Sequence, residues 1–324
     1  MTTPFIDCHT HAGVDPAFYI RGHFPYACDY RALLEQARRH NIQRLVVFPF
    51  VSYFGWEGLE MPAPRANAED DFTVPYAFEN RRLLKEIYQL GEDIAHTALP
   101  FVIVDPSRSQ AAQVAALREM RRQFPIFGLK IQATIIRSFV RDLLADGRCL
   151  VDLAAEWDVP MLIHSSIDAD DPWSQAQDIL DVAEARPDVR FCLAHSCRFD
   201  RPSLERVGRL PNTWFDCSAH CIHCDAAVDE LKIVAPPERR LAADYTRPDQ
   251  VMKALYDVAP DRMMWGSDAP FYSYAATHDG ITLRLLSTYE REIRALDGLS
   301  PAEKTAVLHD NILRFLKLPA EAGR

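Results

Sequence analysis

The most constraining feature of the chain is a rhythm. Short apolar runs rich in β-branched residues alternate with longer amphipathic stretches almost from end to end, and that alternation demands repeated β-α units around a parallel sheet. Eight strands are expected: Phe5 to Cys8, Arg44 to Phe50, Ala98 to Val104, Phe127 to Gln132, Met161 to His164, Arg190 to His195, Thr213 to Cys217 and Met263 to Gly266. Helical periodicity falls between most of them, at Tyr30 to His40, Val74 to Leu90, Gln110 to Arg122, Cys149 to Trp157, Trp173 to Ala185 and Pro248 to Val258. Eight such units in 324 residues fit a (β/α)8 TIM barrel better than a doubly wound sheet, and no Gly-rich turn follows the first strand. The α/β chain is thus expected to form one domain, residues 1–324, with loop insertions.

The tail carries a helix start signal. Ser300 is the N-cap, Pro301 the first helical position and Glu303 the partner in a capping box, for a helix reaching about Leu316 and packing outside the barrel. Two stretches break the rhythm: Val51 to Thr73, rich in Pro and aromatic residues, and Ala219 to Arg247. Long insertions of this kind are expected to be lids or interfaces. The aromatic cluster Tyr53, Phe54 and Trp56 would suit either a lid or a homo-oligomer interface.

Composition narrows the partners. A formal net charge of −10 disfavours nucleic acid and anionic membrane surfaces, both of which need a basic face. A small-molecule substrate is the expected partner. No signal-peptide pattern opens the sequence, and no apolar run approaches the roughly 20 residues that span a bilayer. Eight cysteines in so long a chain read as reduced thiols, so the expected location is the cytoplasm.

In a barrel, chemistry gathers at the C-terminal ends of the strands. In Asp7-Cys8-His9-Thr10-His11 the two histidines are two residues apart, so an extended strand sends both to one face and Cys8 and Thr10 to the other. Two neutral imidazoles on one face are half of a tetrahedral zinc site. His164 and His195 each end a strand, and Asp268 follows the last one in Gly266-Ser267-Asp268-Ala269-Pro270. Any one of these alone has an ordinary structural explanation as a hydrogen-bonded rim residue or cap. Their convergence on one rim does not.

These motifs, with Leu193-Ala194-His195 and the tail Asn311-Ile312-Leu313-Arg314-Phe315-Leu316, resemble the amidohydrolase superfamily. Within it, the chain resembles the branch related to aminocarboxymuconate-semialdehyde decarboxylase. The resemblance implies that His9, His11, His164 and Asp268 bind a divalent metal, expected to be zinc, with His195 beside it as a catalytic or second-metal group. It spans hydrolases, decarboxylases and hydratases and does not choose among them.

Strand alternation sends Gly128, Lys130 and Gln132 to one side and Leu129 and Ile131 to the other. A luminal Lys130 could carry a carbamate bridging two metals, or stay cationic and hold a substrate carboxylate beside a single ion. The second use is preferred. Cys217, His220, Cys221, His223 and Cys224 lack the second well-spaced pair of a structural zinc site, so they read as a rim loop in which His220 or His223 touches substrate. Of Arg21, Arg137 and Arg198, only Arg198, just beyond the sixth strand, stands out as an anchor for an anionic substrate.

The working expectation is hydrolysis of a small carboxylate-bearing molecule by a metal-activated water. Asp268 would move its proton, His195 would assist, and Lys130 or Arg198 would orient the substrate. Non-oxidative decarboxylation on the same ligands is the alternative. A metal-binding scaffold without turnover is the remaining one.

Overall fold

In the computed structural model of the protein, residues 4–51, 74–278 and 281–319 are described; the aromatic cluster at Tyr53, Phe54 and Trp56 lies outside them. Nine strands form the main sheet: β1 (Phe5–Val14), β2 (Ala27–Cys28), β3 (Ile42–Pro49), β4 (Ala98–Ile103), β5 (Gly128–Ile131), β6 (Met161–Ile163), β7 (Phe191–Leu193), β8 (Thr213–Asp216) and β9 (Met263–Met264). All pair in parallel with their neighbours except β2, a short antiparallel addition to the outer end of β1. The eight parallel strands are the eight expected from the sequence.

The sheet curls shut because the chain just past β9 returns to β1. Cys8 donates its N–H to the Trp265 carbonyl (3.1 Å), Asp268 to that of His9 (2.9 Å), and His11 to that of Ala269 (2.7 Å). The closure uses β1 beyond its expected end at Cys8, out to Val14. A barrel leaves no free edge on the parallel set.

Side chains sort by the two-residue period of a strand. Ile6, Val46, Phe48, Leu99, Phe101, Leu162, Cys192, Trp214 and Met264 fill the lumen. The alternate residues, among them Leu45, Val47, Leu129, Ile131, Ile163, Phe191 and Phe215, pack outward against the surrounding helices. Cys8 corrects the expected alternation. It joins the luminal cluster although His9, its neighbour, also points inward, because the β1–β3 register shifts between Asp7 and Thr10. A bulge of this kind lets two successive residues face one side.

The tail is a second correction. Its capping box forms as expected, with Glu303 accepting from the Ser300 N–H. The chain then continues through a wider turn into Asn311–Leu316, whose Ile312, Leu313, Phe315 and Leu316 pack against the luminal residues rather than lying outside them. Trp214 meets Phe315 at 5.5 Å between ring centroids, so the tail floors the end of the barrel opposite the rim. The stretch from Ala219 opens with a helix, His220–Val228, whose Cys221 and Cys224 pack into the core with Cys217.

Past β9, two antiparallel strands, β10 (Tyr274–His278) and β11 (Ile281–Leu285), cover part of the mouth. Among the described residues no helix is long and apolar enough to cross a membrane.

Candidate metal centre and active site

The rim brings His9 and His11 of β1 onto Asp268. The Asp268 Oδ1 lies 3.2 Å from both His9 Nε2 and His11 Nε2. Nitrogen and oxygen donors about 2.0–2.2 Å from a tetrahedral ion stand roughly 3.3 Å from one another, so Asp268 stands from each imidazole as two ligands of one small divalent ion would. Among the described residues this is the one group of three such ligands gathered within 4.8 Å.

Each ligand is held by the fold. Gly266 permits the close approach of β1, since a Cβ there would lie 2.6 Å from the His9 Cβ. Asp268 has φ of 63°, a left-handed conformation that Asp tolerates better than most residues. Buried Asp7 accepts from the N–H groups of His9 (3.1 Å) and Ser267 (2.9 Å) and from the Tyr289 hydroxyl (2.9 Å), tying both ligand segments together.

Beneath His9 stands Asp216, the last residue of β8 and fully buried. Its Oδ2 accepts from His9 Nδ1 at 2.9 Å, which leaves Nε2 without a proton and facing Asp268. Its Oδ1 accepts from the His195 N–H (3.1 Å), the Ser218 N–H (3.0 Å) and the Ser218 hydroxyl (2.5 Å). Burial pushes the Asp216 carboxyl up, but His9, Ser218 and Lys130 more than offset this and hold it well below the usual carboxylate range. Sequence reasoning missed Asp216. The available signal was a carboxylate ending an apolar strand at the level of His164 and His195.

Lys130 is fully buried, with Nζ 3.3 Å from His9 Nε2 and over the Phe48 ring. Burial pushes its ammonium down to about 8. It stands against the ligands and does not line the cavity above them. Burial also pushes the Asp268 carboxyl up to about 6 and lowers His9 and His11, so the two imidazoles are neutral and ready to ligate.

His164 and His195 sit at the same level but outside the group of three. His195 Nδ1 is 4.0 Å from Asp268 Oδ2, the oxygen turned away from the two ligand imidazoles. His164 Nδ1 is 3.0 Å from His195 Nε2, and His164 Nε2 is 2.9 Å from Arg198 Nη2. An arginine can only donate, and this fixes the tautomers in sequence. His164 accepts at Nε2 and donates from Nδ1 to His195 Nε2; His195 then donates from Nδ1 to the Ser218 hydroxyl (2.9 Å).

His195 through Phe199 all have φ between 48° and 64°, five consecutive non-glycine residues in the left-handed region. Each costs about 1–2 kcal/mol. The turn is held by the His195 bond to Asp216, by Arg198 Nε donating to the Ser165 carbonyl (2.9 Å), and by Ala235 donating to the Arg198 carbonyl (2.9 Å). Its result is that both His195 and Arg198 face the mouth.

The cavity over the ligands has a volume of about 240 Å³ and mostly apolar walls, including Phe18, Ile135, Ile222, Phe271 and Leu285. His11, Asp268, His164, His195, Arg198, Gln132 and His223 supply its polar groups. Arg198 Nη1 donates to His223 Nε2, and among the described residues no carboxylate lies within ion-pair distance of Arg198. Burial lowers its guanidinium to about 10, which leaves it cationic at neutral pH. His220 does not line the cavity: its Nε2 meets the Pro248 carbonyl at 2.8 Å.

A closed parallel barrel with a His-His-Asp ligand group at its rim defines the class of metal-dependent barrel enzymes. The chain belongs to the Amidohydrolase family, which residues 6–318 match. It is accordingly a metal-dependent enzyme of the amidohydrolase superfamily, and the scaffold reading is set aside.

Among solved structures, an amidohydrolase from Burkholderia multivorans with bound HEPES is similar at TM-score 0.63 and 17% identity, over 97% of this chain and 99% of that one. The 2,6-dihydroxybenzoate decarboxylase from Rhizobium follows at TM-score 0.61 and 12% identity, over 98% and 99%. A dihydroxybenzoic acid decarboxylase from Polaromonas sp. JS666, with bound manganese and the inhibitor 2-nitroresorcinol, has TM-score 0.55 and 11% identity over 98% of each chain. These likenesses show that the fold is shared with both kinds of enzyme. No curated protein matches the chain in sequence.

Proposed function

We propose that the protein is a non-oxidative decarboxylase of a small aromatic or conjugated carboxylic acid, dependent on a single divalent ion, rather than the hydrolase first expected. The observation that carries this reading is Arg198: a cation with no carboxylate at ion-pair distance among the described residues, in a mostly apolar cavity above the metal ligands. An unneutralised guanidinium in such surroundings calls for an anion, and a carboxylate satisfies its two-pronged geometry. The solved decarboxylases with the same fold support the choice.

His9, His11 and Asp268 hold the ion, and His164 is the fourth ligand proposed. Two or three imidazoles with one carboxylate suit zinc, with manganese as the competitor. When bound, the ion supplies Lewis acidity that draws electron density from the substrate's oxygens.

The residues of the chain do the rest. Arg198 receives the substrate carboxylate, and the apolar walls hold the carbon skeleton. Asp268 divides its work: Oδ1 faces the ligand imidazoles, while Oδ2, beside His195, handles the proton. As the carbon–carbon bond breaks, its electron pair stays on the substrate carbon, which takes that proton. Carbon dioxide leaves neutral, so it loses its attraction to Arg198, and an apolar cavity favours the neutral product. Lys130 acts on the metal ligands from below, through His9.

The test is incubation of zinc- or manganese-loaded protein with hydroxybenzoates and conjugated acids in deuterium oxide. The expected result is carbon dioxide in equal amount to product, with one deuterium at the carbon that lost it. Turnover of lactones, esters or amides without carbon dioxide release would replace this reading with hydrolysis.

A further inference from the structure

The hairpin of β10 and β11 turns one face to the cavity. Tyr274 pairs opposite Leu285 and Ala276 opposite Leu283, and directly opposed residues of an antiparallel pair share a face. Tyr274, Leu283 and Leu285 line the cavity, whereas Thr282 and Arg284, from the alternate face, are exposed. The other polar groups of the cavity come from the strand ends and from the helix after β8. Tyr274 is the one hydroxyl among the described residues that line it.

The half-buried Tyr274 ring is held in place. Phe18 packs against it at 6.1 Å between centroids. Phe24 exchanges both backbone hydrogen bonds with Ala275, at 2.8 and 2.9 Å. At the base of the hairpin the Ser273 hydroxyl donates to the Ser287 carbonyl (2.6 Å) and accepts from the Ser287 N–H (2.9 Å). The Tyr274 hydroxyl itself has no hydrogen-bond partner among the described residues. A tyrosine hydroxyl in apolar surroundings ordinarily finds one, and beside a cavity the ligand can supply it.

Two properties define that partner. Burial pushes the phenol up, so it keeps its proton at neutral pH and is a donor. Burial is also the sole cause of the shift, with no charged group among the described residues contributing, so a second carboxylate would be buried there without a counter-charge. A neutral oxygen carries no such cost.

We propose that Tyr274 is a specificity-determining residue, whose hydroxyl donates to a neutral oxygen, a hydroxyl or carbonyl, on the part of the substrate away from its carboxylate. The role rests on the reading that Arg198 holds the carboxylate. Arg198 follows β7 and leans on Ser165 and His223, while Tyr274 follows β9 and leans on Phe18 beyond β1, so the two hold different arcs of the mouth. An acid without the second oxygen leaves the Tyr274 hydroxyl desolvated and unmatched, and that loss is the discrimination.

The test is equilibrium binding, by calorimetry, to the zinc-loaded full-length protein. Two matched pairs of different length are compared: 4-hydroxybenzoate with benzoate, and 4-hydroxycinnamate with cinnamate. In at least one pair the hydroxylated acid should bind about tenfold more tightly. In Tyr274→Phe, which keeps the ring against Phe18, that ratio should fall to about one. No preference in either pair overturns the assignment. So does a preference undiminished in Tyr274→Phe, which would give the hydroxyl to the metal or to Gln132.

Arg198→Met examines the shared premise. It should weaken all four acids; unchanged affinities would remove the carboxylate from Arg198 and overturn the placing of the second oxygen with it. Turnover is a separate outcome. A preference lost in Tyr274→Phe with no carbon dioxide from any acid would sink only the decarboxylation reading, and carbon dioxide released with a preference that Tyr274→Phe does not alter would sink only the role of Tyr274.

Discussion

Replacing Asp216 with Asn removes one charge and alters no volume, yet it should disable the metal site through a proton. Three donors converge on Oδ1, namely the N–H groups of His195 and Ser218 and the Ser218 hydroxyl, so the Asn carbonyl must take that position. The amide NH2 then faces His9 Nδ1, which donates to Oδ2 in the parent at 2.9 Å. Two donors cannot share that contact, so His9 moves its proton to Nε2, the atom that faces Asp268. A protonated Nε2 cannot ligate. Loss of such a supporting carboxylate typically lowers metal affinity 10–100-fold, about 1.4–2.8 kcal/mol. Chelator competition at pH 7.5 measures this, with far-UV circular dichroism to establish that the barrel is intact. A folded Asp216→Asn protein with parental zinc affinity would refute the assignment of Asp216 as the group that sets the His9 tautomer.

Gly266→Ala puts a Cβ 2.6 Å from the His9 Cβ and 3.0 Å from its backbone nitrogen, so β1 must shift. A stability loss of about 1–3 kcal/mol in urea unfolding, together with lowered metal content, is expected. Ser196→Gly should instead stabilise by about 1 kcal/mol, because it relieves a left-handed residue and removes a buried hydroxyl without a partner; a lower unfolding midpoint would count against strain in the turn. Metal affinity should fall with pH in two steps. Lys130, pushed down to about 8, is protonated below that value and repels the ion, so affinity drops by up to about tenfold per pH unit from pH 8 to 6. Below about 6 the ligand Asp268 is protonated too and the slope steepens, while His9 and His11, already neutral, add nothing. Lys130→Met should flatten the upper limb only, as read by competition titrations across the range.

Much of the architecture was legible because strand and helix periods are written into local sequence. The eight barrel strands coincide with eight apolar runs, and Lys130 enters the lumen as the alternation Leu129, Lys130, Ile131 requires. Cys8 was misread because a bulge is a property of two strands in register, and one strand read alone shows only its alternation. The tail helix was legible as a helix from Ser300, Pro301 and Glu303, but its destination under Trp214 was not. Asp216 was passed over because one carboxylate at a strand end carries no local mark of its partner, which lies 207 residues away.

The sequence by itself determined which chemistry was available: imidazoles and a carboxylate at the ends of strands that must form a barrel. Tertiary structure alone decided how those groups divide. It drew His9, His11 and Asp268 into one ligand group, turned His164 towards His195 and Arg198, and gave Arg198 no carboxylate at ion-pair distance among the described residues. The physical reason is that composition and spacing set which atoms can bond. Closure of the barrel and the left-handed turn at His195–Phe199 set the ångström-scale distances that decide which atoms do.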